Sequence, residues 1–338
     1  MFSKVEAFLL SEINHDTFRA SHVFLSPISF LYRIAVAFRN FLFDKKILRT
    51  YKSSKKVVSI GNLTAGGTGK THLTYLIAKS VGKKVGILER GYKAKIRRKD
   101  SFLVQNKDEG DEAFMLKEKL NFAKVIVGKN RVRSSKLAEA LDVDYILMDD
   151  GMQHRYLYRD IEVCMFHLED VFKPNYFLPR GLYRDNLKRL RNVDFIFVNA
   201  ITKEEDFLKA VSYFSKWTKA KIIGGAYQFS NFPALSKPRC AAFAGIGKPE
   251  TFFSMIKESG GKLVLKNTLL DHQKLENPEL FKIEAKNASI DYIFCTEKDY
   301  VKLTPIEREG IYPLKVDLNI TFGKENFDSL IREILCSV

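Results

Sequence analysis

The most distinctive alternation of apolar and polar positions lies near the start of the chain, in Ser26–Lys46, SPISFLYRIAVAFRNFLFDKK. At 100° per residue, Phe30, Leu31, Ile34, Phe38, Phe41 and Leu42 gather on one side of a helix. Ser29, Arg33, Asn40 and Asp44 gather on the other, with Arg39 on a flank. Ser26 predicts the N-cap and Pro27 the first helical position, where the missing N–H has no partner to lose. A basic cluster follows, Lys45, Lys46, Arg49, Lys52, Lys55 and Lys56. Such a segment fits two outcomes. It lies in a membrane interface, with apolar burial among acyl chains and cations beside anionic headgroups, or it packs on its own domain.

Short β-like runs then alternate with helical patterns. Lys56–Ile60 leads through the glycine-rich GNLTAGGTGKTH into the helical LTYLIAKSV, and further strands are predicted at Lys84–Leu88, Lys124–Val127, Tyr145–Met148, Ile161–Phe166 and Phe195–Val198. Helical stretches such as Glu112–Leu120 and Arg133–Leu141 separate several of them, which predicts a parallel sheet covered on both faces. The pattern resets near residue 225. Cys240–Ala244 reads as a new strand and Pro249–Glu258 as a helix. Lys262–Val264, Tyr292–Cys295 and Tyr312–Val316 continue a smaller α/β pattern. The expected organisation is an N-terminal amphipathic segment (1–50), a larger α/β domain (51–225) and a smaller one (226–338), with a site in the cleft between the last two.

Among 338 residues the formal net charge of +16 calls for an anionic partner: nucleic acid, an acidic membrane surface or a phosphorylated substrate. A basic run at Arg97, Arg98 and Lys99 would suit nucleic acid, yet no nucleic-acid fold signature accompanies it, and none is expected as partner. Cys164, Cys240, Cys295 and Cys336 are scattered, which argues against a zinc site or a disulfide framework and for a reducing compartment. Glu6, Glu12 and Asp16 interrupt the N-terminus as a signal peptide, and no stretch free of charges is long enough to span a bilayer.

The candidate chemistry centres on Thr64-Ala65-Gly66-Gly67-Thr68-Gly69-Lys70-Thr71, which fits the P-loop pattern except that Thr64 replaces its first glycine. Glycines let backbone N–H groups converge on phosphate oxygens, Lys70 reaches the β- and γ-phosphates, and Thr71 suits Mg²⁺. The second nucleotide element is an apolar strand ending in acid, Tyr145-Ile146-Leu147-Met148-Asp149-Asp150-Gly151; Asp149 or Asp150 would hold or orient the metal. Asp111 and Glu112 precede a helix, where such acids either cap its N-terminus or take a proton from an attacking hydroxyl. His154 lies just past the acids and His272 in LLDHQ of the second domain. The chain has no HExxH, zinc spacing or GxSxG, and no NKxD after Phe195–Asn199, which weighs against common hydrolases and a GTPase.

With these pieces in place the chain resembles the tetraacyldisaccharide 4′-kinases of lipid A synthesis, from about Ser26 to Leu303. The matching motifs are VVSIGNLTAGGTGKT, ERGY (Glu89–Tyr92), GDEA (Gly110–Ala113), VGKNRV (Val127–Val132), DDGMQHRYLYRDIEV (Asp149–Val163), AFAGIGKPETFF (Ala242–Phe253), DHQ and TEKDYVK (Thr296–Lys302). The resemblance implies ATP as donor, Mg²⁺ as cofactor and a glycolipid, tetraacyldisaccharide 1-phosphate, as acceptor. It also implies a peripheral place on the cytoplasmic face of the bacterial inner membrane, with the first helix facing the anionic lipid. By motif, Asp111 would be the general base, partnered by His272 when the domains close, and Lys70 would stabilise the transferring phosphoryl group. Thr71, Asp149 and Asp150 would serve Mg²⁺, and His154 would lie beside nucleotide or acceptor. Three departures stand out: His72 where the family has proline, Glu89 where it has serine, and Asp185 where LPRGLYRDN would carry glutamate after arginine. A kinase or ATPase with a soluble acceptor is the alternative that the P-loop pattern by itself allows.

Overall fold

The computed structural model describes residues 20–65, 68–82, 84–91, 101–106, 109–246, 249–270 and 273–336, without the side chains of residues 20–23 and 111. The chain forms two compact units, one of the residues up to Ala226 and from Ile320 onward, the other of Tyr227–Asn319.

In the first unit, α1 (Ala20–Asp44) leads to β1 (Lys56–Gly61), α2 (Lys70–Val81), β2 (Val85–Glu89), β3 (Ser101–Leu103) and α3 (Asp111–Lys119). Then come β4 (Lys124–Gly128), α4 (Arg131–Glu139), β5 (Tyr145–Asp149), β6 (Ile161–His167), β7 (Phe195–Asn199), α5 (Glu204–Phe214) and β8 (Lys221–Phe229). The second unit holds β9 (Arg239–Ala244), α6 (Pro249–Glu258), β10 (Lys262–Thr268), α7 (Pro278–Asn287), β11 (Tyr292–Thr296) and β12 (Ile311–Leu314). β13 (Val316–Phe322) carries the chain back, and α8 (Lys324–Leu335) ends it in the first unit.

The larger sheet runs β13-β8-β7-β6-β1-β5-β2-β4-β3. β1 is parallel to β5 on one side and β6 on the other, with Val58 opposite Leu147 and Ile60 opposite Asp149. β3 is antiparallel to β4. The central strands are buried almost without a break, as strands covered on both faces must be, and for that reason their apolar runs betray them in the sequence. The smaller sheet, β10-β9-β11-β12, is parallel throughout. The fold is therefore mixed α/β with a largely parallel sheet, as the alternation predicts. Strand ends are fixed by close approach at Gly61, where a Cβ would sit 2.5 Å from Met152 Cβ and 2.6 Å from its backbone N.

Three expectations change. The first helix starts at Ala20, so Ser26 is not its cap and Pro27 lies inside it, at the cost of one i→i−4 hydrogen bond. The strand expected over Tyr312–Val316 is two strands, because Lys315 bonds elsewhere: its carbonyl accepts from Ser230 N at 3.0 Å and its N–H donates to Asn231 Oδ1 at 2.8 Å. The smaller unit ends at Asn319 rather than at the chain end. The reason is α8, whose Phe327, Leu330 and Ile334 are buried and whose last carbonyls are capped by Lys56 at the start of β1, Nζ lying 2.7 Å from Glu333 O and 2.6 Å from Cys336 O.

Candidate active site

The site lies where β1 and β5 end. Between β1 and α2 the loop is held by a neighbouring segment: Ala65 N donates to Leu182 O and Arg184 N to Leu63 O, both at 2.7 Å, with Thr64 bridged antiparallel to Tyr183. Gly66 and Gly67 are outside the described residues. Past them, buried Thr68 accepts from Asn62 Nδ2 at 3.2 Å through its hydroxyl and from Asn199 Nδ2 at 3.3 Å through its carbonyl. Gly69, at φ 94°, then turns the chain into α2 in the left-handed conformation that suits glycine. The turn places Lys70 and Thr71 in the first turn of α2, where unpaired N–H groups and the helix dipole favour anions.

From the other side β5 delivers its acids. Asp149 Oδ2 accepts from Thr71 Oγ1 at 2.9 Å, and its Oδ1 accepts from the Asp150 N–H at 2.7 Å. Asp150 has φ 49°, a left-handed conformation that aspartate tolerates better than most side chains, and this turns its carboxylate towards the cations. Lys70 Nζ lies 3.5 Å and Arg184 Nη2 3.1 Å from Asp150 Oδ1. Both cations also donate to Asn62 Oδ1, Lys70 at 3.3 Å. Buried Arg131 donates to the Asp149 carbonyl at 2.7 Å and so holds the end of β5 from below. Glu112 stands 3.4 Å from Thr71 Oγ1.

Charge divides these acids. Burial pushes the Asp150 carboxyl up, but Arg184 and then Lys70 outweigh it and hold it down at about 2. Glu112 is raised by burial and then by the Asp149 charge. Glu89, buried at the end of β2, is raised further by burial and by Asp149, against the pull of Arg131. His154 is lowered to about 4 by burial, then by Arg131 and Arg90, so its imidazole is neutral at neutral pH.

The helix α1 packs on this part of the molecule with its polar side. Ser29 Oγ donates to Phe177 O, Tyr32 OH to Arg184 O at 3.3 Å, and Asn40 Nδ2 to Asp185 Oδ1 at 2.7 Å. Arg155 donates to Asn40 O at 3.1 Å and to Asp44 at 2.7 Å. Phe24, Ile28, Phe30, Leu31, Ile34 and Phe38 stay exposed on the other side. Asp185, fully buried, receives Asn40, the Asn186 N–H and the more distant Arg39, which accounts for it as an anchor of α1.

Of the residues singled out in the sequence, Lys70, Thr71, Glu112, Asp149 and Asp150 converge, with Thr64, Ala65, Thr68 and Gly69 forming the loop beside them. Asp111 opens α3, but its side chain is outside the described residues, as is the whole of His272. Asn62, Glu89, Arg131 and Arg184 are the residues that sequence reasoning did not select. GNLT was read for the loop and LYRD for Asp185, while ERGY and VGKNRV were read as family motifs, with Glu89 noted only as a departure from serine. As for Mg²⁺, Thr71, Asp149 and Glu112 offer the hard oxygens it takes, and the donor set fits. Among the described residues no three His, Cys, Asp or Glu side chains form a metal-holding group, so nucleotide phosphates and water would complete the shell.

A family model described as "Tetraacyldisaccharide-1-P 4′-kinase" matches residues 21–336. A tetraacyldisaccharide 4′-kinase of Pelodictyon phaeoclathratiforme is 31% identical, covering 92% of this chain and 97% of the relative. One of Chlamydia pneumoniae is 32% identical over 84% and 83%. The crystal structure of the "apo" form of LpxK from Aquifex aeolicus in complex with ATP superposes with a TM-score of 0.70 at 27% identity, covering 91% of this chain and 97% of that one.

Proposed function

The chain belongs to the tetraacyldisaccharide-1-P 4′-kinase family, and on that premise we propose that it transfers the γ-phosphoryl group of ATP to the 4′-hydroxyl of tetraacyldisaccharide 1-phosphate in lipid A synthesis. The observation that carries this reading is the meeting of Lys70 and Thr71, at the start of α2, with Asp149 and Asp150, at the end of β5. This is the constellation of a P-loop phosphotransferase. In the reaction the 4′-oxygen bonds to the γ-phosphorus as the bond to the β,γ-bridging oxygen breaks, and ADP leaves. The hydroxyl proton goes to Asp111, with His272 as that base's partner, both assigned on the family motifs. Lys70 and Arg184 face the phosphates. Both are held on Asn62 and Asp150, so their charge is in place before phosphate arrives. Thr71 and Asp149 would hold Mg²⁺, which when bound neutralises charge on the phosphates.

The lipid side of the reading rests on α1. Its polar face is used up on the protein, and its exposed apolar side suits the acyl boundary of an anionic leaflet, with Lys45, Lys46 and Arg49 at its end. No helix among the described residues is long and apolar enough to cross a membrane. On the family reading, α1 takes a peripheral role at the cytoplasmic face of the inner membrane. A soluble acceptor would leave that face without purpose. The test is transfer from γ-labelled ATP to tetraacyldisaccharide 1-phosphate in mixed micelles, wild type beside Asp111→Ala. Product from the wild type and a loss of ~10²–10⁴-fold in the variant is expected. A folded, ATP-binding wild type that makes no product sinks the proposal.

A further inference from the structure

α1 touches two segments whose neighbours face the nucleotide site. Its Asn40 Nδ2 holds Asp185, and Asp185 follows directly on Arg184, which contacts Asp150 and Asn62. Its Asn40 carbonyl receives Arg155, next to His154. The path is short and mostly buried: Asn40 is 8% and Asp185 0% exposed. Backbone bonds from Leu182 and Arg184 continue it into the loop at Leu63 and Ala65 that leads to Lys70. On the inward side of this amphipathic helix, Asn40 is thus committed to a buried carboxylate one residue from a phosphate-facing arginine. Arg39 and Arg189 balance the rest of that carboxylate's charge, at 3.5 and 4.0 Å, so Asp185 is free to act as a fixed point rather than as a ligand.

We propose that Asn40 and Asp185 are positioning residues that couple the docking of α1 on a lipid surface to the setting of Arg184, so that the membrane-bound enzyme holds ATP more tightly than the enzyme in bulk water. The inference rests on the reading of Arg184 as a phosphate-facing group and of α1 as the lipid-facing helix. Coupling of this kind is reciprocal: ATP must tighten vesicle binding by the same factor as vesicles tighten ATP binding. Because the link is a chain of packed and hydrogen-bonded groups, removing one bond in it breaks the coupling without touching either ligand.

The experiment measures the ATP dissociation constant of the full chain with and without vesicles of phosphatidylethanolamine and phosphatidylglycerol, for wild type, Asn40→Ala and Asn40→Asp. The wild type is expected to bind ATP about fivefold or more tightly on vesicles. Both variants should bind vesicles as wild type does and show a ratio near one. Asn40→Asp keeps the shape while setting a like charge against Asp185, so the outcome does not depend on a cavity. A loss of melting temperature alone, with the vesicle ratio intact, is the signature of a merely structural Asn40 and overturns the proposal. Equal ATP affinity with and without vesicles in the wild type also overturns it. Failure of the wild type to bind ATP at all would instead sink the functional reading on which the inference stands.

Discussion

At the residue scale the site is organised by where charge is tolerated. His154 shows this most simply, because its partly buried imidazole lies within the influence of Arg131 and Arg90 and its pKa falls from 6.5 to about 4. A histidine whose folded pKa is depressed binds fewer protons than the unfolded chain between those two values, so it makes stability rise with pH there. Going from neutral pH to pH 5, its contribution falls by about 2 kcal/mol. Raised carboxyls such as Glu112 act in the opposite sense, which is why the comparison must be with a variant. His154→Gln, free of nucleotide, should therefore lose less stability than wild type between pH 7 and pH 5, as read by urea midpoints at the two pH values. Equal losses would mean the imidazole is not held neutral. His154 was visible in the sequence as a neighbour of the acids, but its neutrality was not. That property comes from burial in the fold and then from Arg131 and Arg90, and Arg131, more than twenty residues away, is brought under Asp149 only by the β4–α4 junction.

At the element scale the second unit offers a network that its sequence motif names without explaining. TEKD, at the end of β11, places Thr296 as the cap of a short turn and buries Asp299. That carboxylate accepts from the Thr296 hydroxyl at 2.6 Å, from the Gly245 N–H at 2.9 Å and from Lys302 at 2.6 Å. Lys302 reaches on to the Gln273 carbonyl at 3.1 Å, so one aspartate ties the end of β9 to the segment after β10. Asp299→Ala strands three donors, two of them buried, and should cost about 3 kcal/mol. Hydrogen exchange should show it as lost protection in β9 and β11 with β1 and β5 unchanged, while Asp299→Asn, which keeps an acceptor, loses less. Unchanged exchange in β9 would contradict this account. The two units together show what kind of element can be read from sequence. β9 and β11 have unbroken apolar runs and were legible. β8 was not, for Gly224 and Gly225 interrupt its apolar run. α8 was missed as well, because its identity as a first-unit helix depends on Lys56, some 270 residues away.

At the scale of the whole molecule, the net charge of +16 and the exposed face of α1 make one argument about where the enzyme works. The sequence displayed both the charge and the helical stripe, yet left open whether the stripe met lipid or protein. On α1, Ser29, Asn40, Val36 and Phe43 face inward while Phe30 and Phe38 stand 62% and 61% exposed, which favours the proposal that the stripe meets lipid. Two forces should then act on different scales of salt. Cations near an anionic surface contribute about 1 kcal/mol each and are screened within a Debye length, about 10 Å at 0.1 M. Burial of apolar side chains is not screened, and each phenylalanine taken fully from water contributes ~1.5–3 kcal/mol. Binding to phosphatidylglycerol-containing vesicles should therefore weaken as salt rises and level off at a residual affinity. Phe30→Ser with Phe38→Ser should remove the residual part and leave the salt-dependent part, while substituting Lys45, Lys46 and Arg49 by glutamine should flatten the salt dependence and keep the residue. Sedimentation with vesicles across a salt series distinguishes the two sets. If the phenylalanine variant bound as wild type at high salt, α1 would not be the lipid-contacting element, and the basic surface would have to find its anion elsewhere.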